Sequence, residues 1–165
     1  VFLLAFLACL LTPVSSIAQQ SQGELYLKQL IDRAEQAKLA GQREWHLLLH
    51  YRKGLFGGYE SEQDDPGFFL SSNGKTDPSS ELAATLAQFF SAELVGRSRQ
   101  PAQCAFIARY HWLKEQLQFD PTRLPALSCE RFDRWYEDFE VQSISLIFPS
   151  AFLNNPQKSQ KFHTG

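Results

Sequence analysis

Between Glu24 and Ala40 the apolar residues Leu27, Leu30, Ile31, Ala34 and Ala37 recur at intervals of three and four, and Gly41 follows in the position of a C-cap. That spacing predicts an amphipathic helix. The stretch REWHLLLHYR resumes the pattern with Trp45, Leu48 and Leu49 on one face, so the two helices should form a hairpin joined at Gly41. A third helix is signalled by Asp77 as cap, Pro78 at the first helical position, Leu82, Leu86, Phe89 and Phe90 in period, and Gly96 at the far end. A fourth is expected from about Ala102 to Gln118, with Phe106, Tyr110, Leu113 and Leu117 on one stripe. A shorter one near Glu130 to Phe139 carries Phe132, Trp135 and Tyr136. At helical spacing, all these aromatics are expected in the core.

Two regions break this grammar. From Gly54 to Asp77 the chain turns to Gly, Ser, Asp and Pro, relieved only by Phe68-Phe69-Leu70; a connection this long is either functional or an excursion packed by its own aromatics. The acidic group Glu60, Glu62, Asp64 and Asp65 reads as a solvated loop, since the alternating carboxylates, central Gly and closing Glu of a calcium loop are absent. In VQSISLIFPS, Ile144, Leu146 and Phe148 alternate with smaller or polar residues until Pro149, the period of a strand. No ladder partner for it is evident elsewhere, so its sheet is expected beyond residue 165. The expected fold is mainly α, leading into the first strand of an α+β domain.

The ends of the chain add a compartment. Residues 1–18, VFLLAFLACLLTPVSSIA, hold no charge and an apolar run from Val1 to Leu11, then Pro13 and small residues up to Ala18. This reads as the core and cleavage site of a secretory signal peptide, too short to span a bilayer, which takes about 20 apolar residues. The missing Met and basic flank imply that residues before Val1 have been lost. Cys9 could suggest a lipid-attachment motif, but Phe6 stands where Leu is usual and the apolar run continues past the cysteine. The expected organisation is a signal peptide over 1–18, a helical region over 19–140, and an opening strand and loop over 141–165. The periplasm or a similar exported compartment follows.

A formal net charge of -2 gives no attraction for nucleic acid or an acidic bilayer. Contact with a membrane is expected only through a substrate or segments outside this chain. Beyond the leader two cysteines remain, Cys104 and Cys129; in an oxidising compartment an even pair is more often bridged than free, and the rival reading makes one of them a catalytic thiol.

Candidate chemistry is sparse. His46 and His50 stand four apart, as zinc ligands do on a helix, yet the stretch reads His-Leu-Leu-Leu-His, without the Glu of a zinc peptidase or a third ligand. The simpler reading puts one histidine at the surface and hydrogen-bonds the other in the interior; no metal and no cofactor is expected. Arg109, on a largely apolar helix, could hold an anion bidentately, but a structural pairing with an acid is favoured. No phosphate loop, nucleophile elbow or pair of Cys-x-x-Cys motifs occurs.

Four stretches, WHLLLHYRKG, FFLSSNGKTDPSSELAATLAQFF, CAFIARYHWL and SISLIFPSAFLNNP, together and in this order resemble the N-terminal periplasmic domain family that includes the bacterial lipoprotein N-acyltransferase Lnb. The resemblance covers most of the chain from about Leu25 to Pro156. It implies a permuted papain-like thiol enzyme, in which an Asn-Pro turn leads through a Ser-containing loop to Gly-His-Thr, with the cysteine nucleophile further downstream. Carried over, it places Asn155 and Pro156 in the loop before the site, followed by Ser159, with His163 as the catalytic histidine and Thr164 beside it. Phe162 stands where the family has Gly, and the spacing from Pro156 is one residue longer. The implied chemistry is acyl transfer through a thioester to an amine or to water, with a lipoprotein or other acylated envelope substrate as partner. Because Cys104 and Cys129 precede His163, the resemblance also favours a disulfide between them and implies that this chain, lacking the later cysteine, is inactive. The alternative is a non-catalytic periplasmic helical module that binds a lipoprotein, an envelope peptide or a neighbouring domain.

Overall fold

The computed structural model describes residues 14–54 and 57–139. Helix α1 runs Val14–Gln36 and α2 Arg43–Leu48, with a 3-10 turn at Leu39–Gly41 between them. Strands β1 (Tyr51–Lys53) and β2 (Tyr59–Ser61) pair antiparallel, Tyr51 opposite Ser61, and a 3-10 turn at Pro66–Phe68 follows. Helix α3 (Pro78–Gln88) leads to a second antiparallel pair, β3 (Leu94–Val95) and β4 (Gln100–Pro101), and then to α4 (Ala102–Ala105), α5 (Ile107–Leu117) and α6 (Glu130–Glu137). The architecture is mainly α with two small strand pairs. No described helix is long and apolar enough to cross a membrane.

The core forms where α1, α3 and α5 turn their apolar stripes inward. Tyr26, Leu30 and Ala34 meet Leu82, Leu86 and Phe89, and Tyr110, Leu113 and Leu117 close the third side. Each fully buried Leu contributes roughly 1.5–3 kcal/mol of burial. Helix α2 is too short to be stable alone. It is held by Trp45, which is fully buried, stacks on Trp112 with ring centroids 5.7 Å apart, and donates its indole N–H to the Pro78 carbonyl at 3.0 Å.

The start of α3 follows its sequence signal closely. Asp77 lies in extended backbone and its carboxylate accepts from the Ser79 and Ser80 amides, both at 3.0 Å, while Pro78 takes the position where a missing N–H costs nothing.

Four expectations need correction. The helix containing His46 stops at Leu48, and His50 takes the left-handed region with φ 56 before the chain enters β1. The expected fourth helix is broken at Phe106, whose φ of -122 swings its ring over the Arg109 guanidinium. Strands that the sequence did not signal occur before residue 140, β1 paired with β2 and β3 with β4; with two or three residues each, they are too short to show a period of two. Gly96, expected to end α3, instead turns the β3–β4 hairpin with φ 67.

The aromatics of α6 also depart from expectation. Trp135, Tyr136 and Phe139 are 53%, 65% and 55% exposed and line one face of a helix that lies outside the core. The strand expected over residues 144–148 and the first 13 residues of the leader expected over 1–18 lie outside the described residues, while α1 begins within that expected leader, at Val14.

Candidate functional site

The most constrained constellation in the fold joins Glu81 of α3 to Arg109 of α5. Glu81 belongs to the stripe that also holds Leu82, Thr85 and Leu86, so its side chain enters the interior, where it is 0% exposed. Arg109 Nη1 donates to Glu81 Oε1 at 2.8 Å, and Nη2 donates to the Phe68 carbonyl at 2.7 Å. The guanidinium is sandwiched between the Phe68 and Phe106 rings, at 4.6 and 4.3 Å from their centroids. The Leu70 amide donates to both Glu81 carboxylate oxygens and the Ser71 amide to Oε2 at 2.8 Å.

Burial lifts the Glu81 carboxyl above the usual carboxylate range, against the opposing pull of these amides and the guanidinium. Burial likewise lowers Arg109 to about 10. The donor set is what keeps two charges tolerable in this interior.

This pair explains the long segment between β2 and α3. Glu81 and Arg109 together accept from or donate to the backbone of Phe68, Leu70 and Ser71, and the Tyr51 hydroxyl donates to the Gly74 carbonyl. A Cβ on Gly74 would fall inside contact distance of Glu81 Oε2, which makes glycine a steric requirement there. The segment is an ordered excursion rather than a free loop. Its acids are engaged: Asp65 accepts from the Gly67 amide and pairs with Arg97 at 2.7 Å, Asp64 pairs with Lys75, and Glu62 with Arg52 at 2.7 Å.

Among several concavities on the surface of the described residues, two contrast in character. One of about 800 Å³ is lined by Arg52, Lys53, Glu60, Glu62, Asp64 and Lys75, where the ion pairs just named largely satisfy one another and leave little net field for a charged ligand. The other, about 360 Å³, runs between α1 and α3 and is lined by Ile31, Ala34, Ala40, Leu82 and Ala83, with Glu35 and Lys38 at its rim. Its apolar floor suits one or two apolar side chains or a short acyl segment.

The residues singled out from sequence separate accordingly. Cys104 and Cys129 are joined as a disulfide, fastening α4 to the N-terminal end of α6, so neither offers a thiolate. His46 is half-buried, with Nε2 2.9 Å from the Ala40 carbonyl, and packs on the Tyr51 and Tyr59 rings. His50 is exposed and packs edge-on to Phe68. The two histidines serve separate local contacts, and no group of three potential metal ligands occurs among the described residues. Arg109 takes the structural role. Asn155, Pro156, Ser159, His163 and Thr164 lie outside the described residues, as does Cys9.

Glu81 was not singled out from sequence. The signal was present, since position 81 falls on the Leu82–Leu86–Phe89 stripe and a carboxylate there demands an interior cation. Arg109 is the matching demand on α5.

A family described as a domain of unknown function (DUF7843) matches residues 37–116. The matched span takes in both histidines, the excursion, Glu81 and Arg109, and ends before Cys129 and α6. No curated protein and no solved structure matches the chain.

Proposed function

We propose that this chain is the helical N-terminal region of an exported, thiol-dependent acyl transferase or hydrolase of the Lnb-like kind. In this reading the described residues act as a non-catalytic scaffold, and the reacting groups follow residue 140. The observation that carries it is the order and spacing of the four stretches from Trp45 to Pro156. The bridged state of Cys104 and Cys129 supports it, because it leaves the nucleophile to be supplied by a later cysteine.

The chemistry would run in two balanced steps. A thiol, its proton taken by His163, attacks an acyl ester; the S–acyl bond forms, the ester C–O bond breaks, and the histidine returns the proton to the departing alcohol. An amine, or water, then attacks the thioester, gives up a proton to the histidine, and releases the thiolate.

The test is to read the coding sequence through the Gly165 codon, express the full product, and incubate it with a diacylglyceryl-modified peptide. A mass increase of one acyl group on a cysteine downstream of His163, suppressed by roughly 10²–10⁴-fold on His163→Ala, is expected. A stop at that codon, or a longer product that carries no acyl group, overturns the reading.

The apolar groove between α1 and α3 favours a second reading, a periplasmic helical binding module that takes an acylated or apolar peptide. A peptide that binds and is not turned over, with binding lost on Ala83→Glu, would select it.

A further inference from the structure

Helix α6 presents Phe132, Trp135 and Tyr136 at i, i+3 and i+4, and Phe139, just past its C-cap, continues the spacing at i+7, that of a single apolar face. The rings touch one another along that face: Phe132 stacks on Tyr136 at 5.8 Å, and Trp135 on Phe139 at 4.9 Å. Nothing among the described residues covers the last three, all of which are more than half exposed. An eight-residue helix does not persist in water by propensity alone, and the disulfide secures only its first turn through Cys129. The stripe therefore calls for a partner.

We infer that the partner is this chain's own segment 143–149, with Ile144, Leu146 and Phe148 seated on the aromatic face of α6. The geometry is matched in three respects. The stripe from Phe132 to Phe139 is about 10 Å long at the helical rise, and the span from Ile144 to Phe148 is about 13 Å when extended. Residues 140–142 provide a connection of a length that ordinarily joins a helix to a strand returning beside it. Pro149 ends the apolar run in the sequence at a length close to that of the stripe.

The charges on α6 argue against a bilayer as occupant. Glu130, Asp133, Glu137 and Asp138 outnumber Arg131 and Arg134, whereas a helix that lies on an anionic membrane carries a basic polar face. A neighbouring segment of the same chain also has the advantage of effective concentration over a second copy. This inference rests on α6 and residues 143–149 alone and involves no acyl chemistry, so it stands or falls apart from the functional reading.

The experiment is amide hydrogen exchange on the full chain and on two variants: Ile144→Asp/Leu146→Asp/Phe148→Asp, and Gln142→Asp/Ser143→Asp as a control for charge. In the parent chain, amides 133–139 should be protected. The apolar-side variant should speed their exchange about ten- to a hundredfold, the scale of uncovering one or two large apolar side chains, while α3 and α5 keep their protection and the control changes nothing. Unprotected α6 amides in the parent chain overturn the inference. So does protection that survives the apolar-side variant, whether it then falls on dilution of a dimer or tracks binding to phosphatidylglycerol vesicles.

Discussion

Arg109 Nη1 lies 2.8 Å from Glu81 Oε1, across 28 residues of sequence and in a site where both side chains are almost wholly buried. The pair is the point at which α3, α5 and the excursion after β2 are fixed to one another. Breaking a buried pair by removing one partner typically costs about 3–5 kcal/mol, because the other charge is left without compensation. Arg109→Met should lower stability on that scale in urea unfolding. Adding Glu81→Gln in the same chain should recover part of the loss, since a neutral amide needs no cation. An additive double variant would show that the pairing carries no weight.

Gly74 admits no side chain, because its Cβ would collide with the Glu81 carboxylate and crowd the Phe69 Cβ. Gly74→Ala should therefore destabilise by about 1–3 kcal/mol, the cost of overpacking a rigid site. The same substitution at Gly23, where nothing lies within 4 Å, should be neutral or mildly stabilising through helix propensity. Thermal unfolding of the two variants makes the comparison.

Tyr51 gives the protein an alkaline limit. Burial, reinforced by the nearby Glu81 charge, raises the Tyr51 hydroxyl well above its ordinary value of 10. Between the unfolded value and this raised value the folded state binds the extra proton, so stability is present in full below pH 10 and declines as pH rises beyond it. Tyr110 shifts in the same direction by burial. Tyr51→Phe should cost about 1–2 kcal/mol at neutral pH through the orphaned Gly74 carbonyl, and should flatten the fall above pH 10 without abolishing it. Urea unfolding at several pH values from 8 to 11 reads both effects.

The Cys104–Cys129 bridge closes a loop across a sequence separation of 25. Cys104→Ser/Cys129→Ser should destabilise by about 3 kcal/mol in the chain-entropy account. Native alkylation without reductant should leave both sulfurs unmodified, and labelling of either would restore the possibility of a thiol nucleophile among the described residues.

Local signals in the sequence carried much of this fold. Asp77-Pro78 marked the start of α3 because cap and ring chemistry act over three residues. Leu30, Leu86 and Leu113 marked the core because within each of these helices the apolar residues recur at the helical period over several turns. The break at Phe106 and the end of α2 at Leu48 were hidden, since both are set by distant partners: Phe106 turns toward Arg109, and β1 pulls Tyr51 into its ladder with Ser61. The α6 aromatics read as core because periodicity reports an apolar face without saying what lies against it. At the candidate site, Arg109 was legible as a cation in need of an acid, while Glu81 was masked by its place in an ordinary helix start. The two histidines suggested metal only while the helix was assumed to continue through His50.

The stack of Trp45 on Trp112 has a spectroscopic consequence. Two indoles at 5.7 Å and 21° are close enough for their excited states to couple, so the fold carries a built-in near-ultraviolet reporter of the docking of α2 on α5. Trp135, far more exposed, contributes the solvent-sensitive part of the emission. Loss of the coupled signal with Trp135 emission unchanged would mark the moment at which the core opens while the C-terminal helix keeps its surroundings.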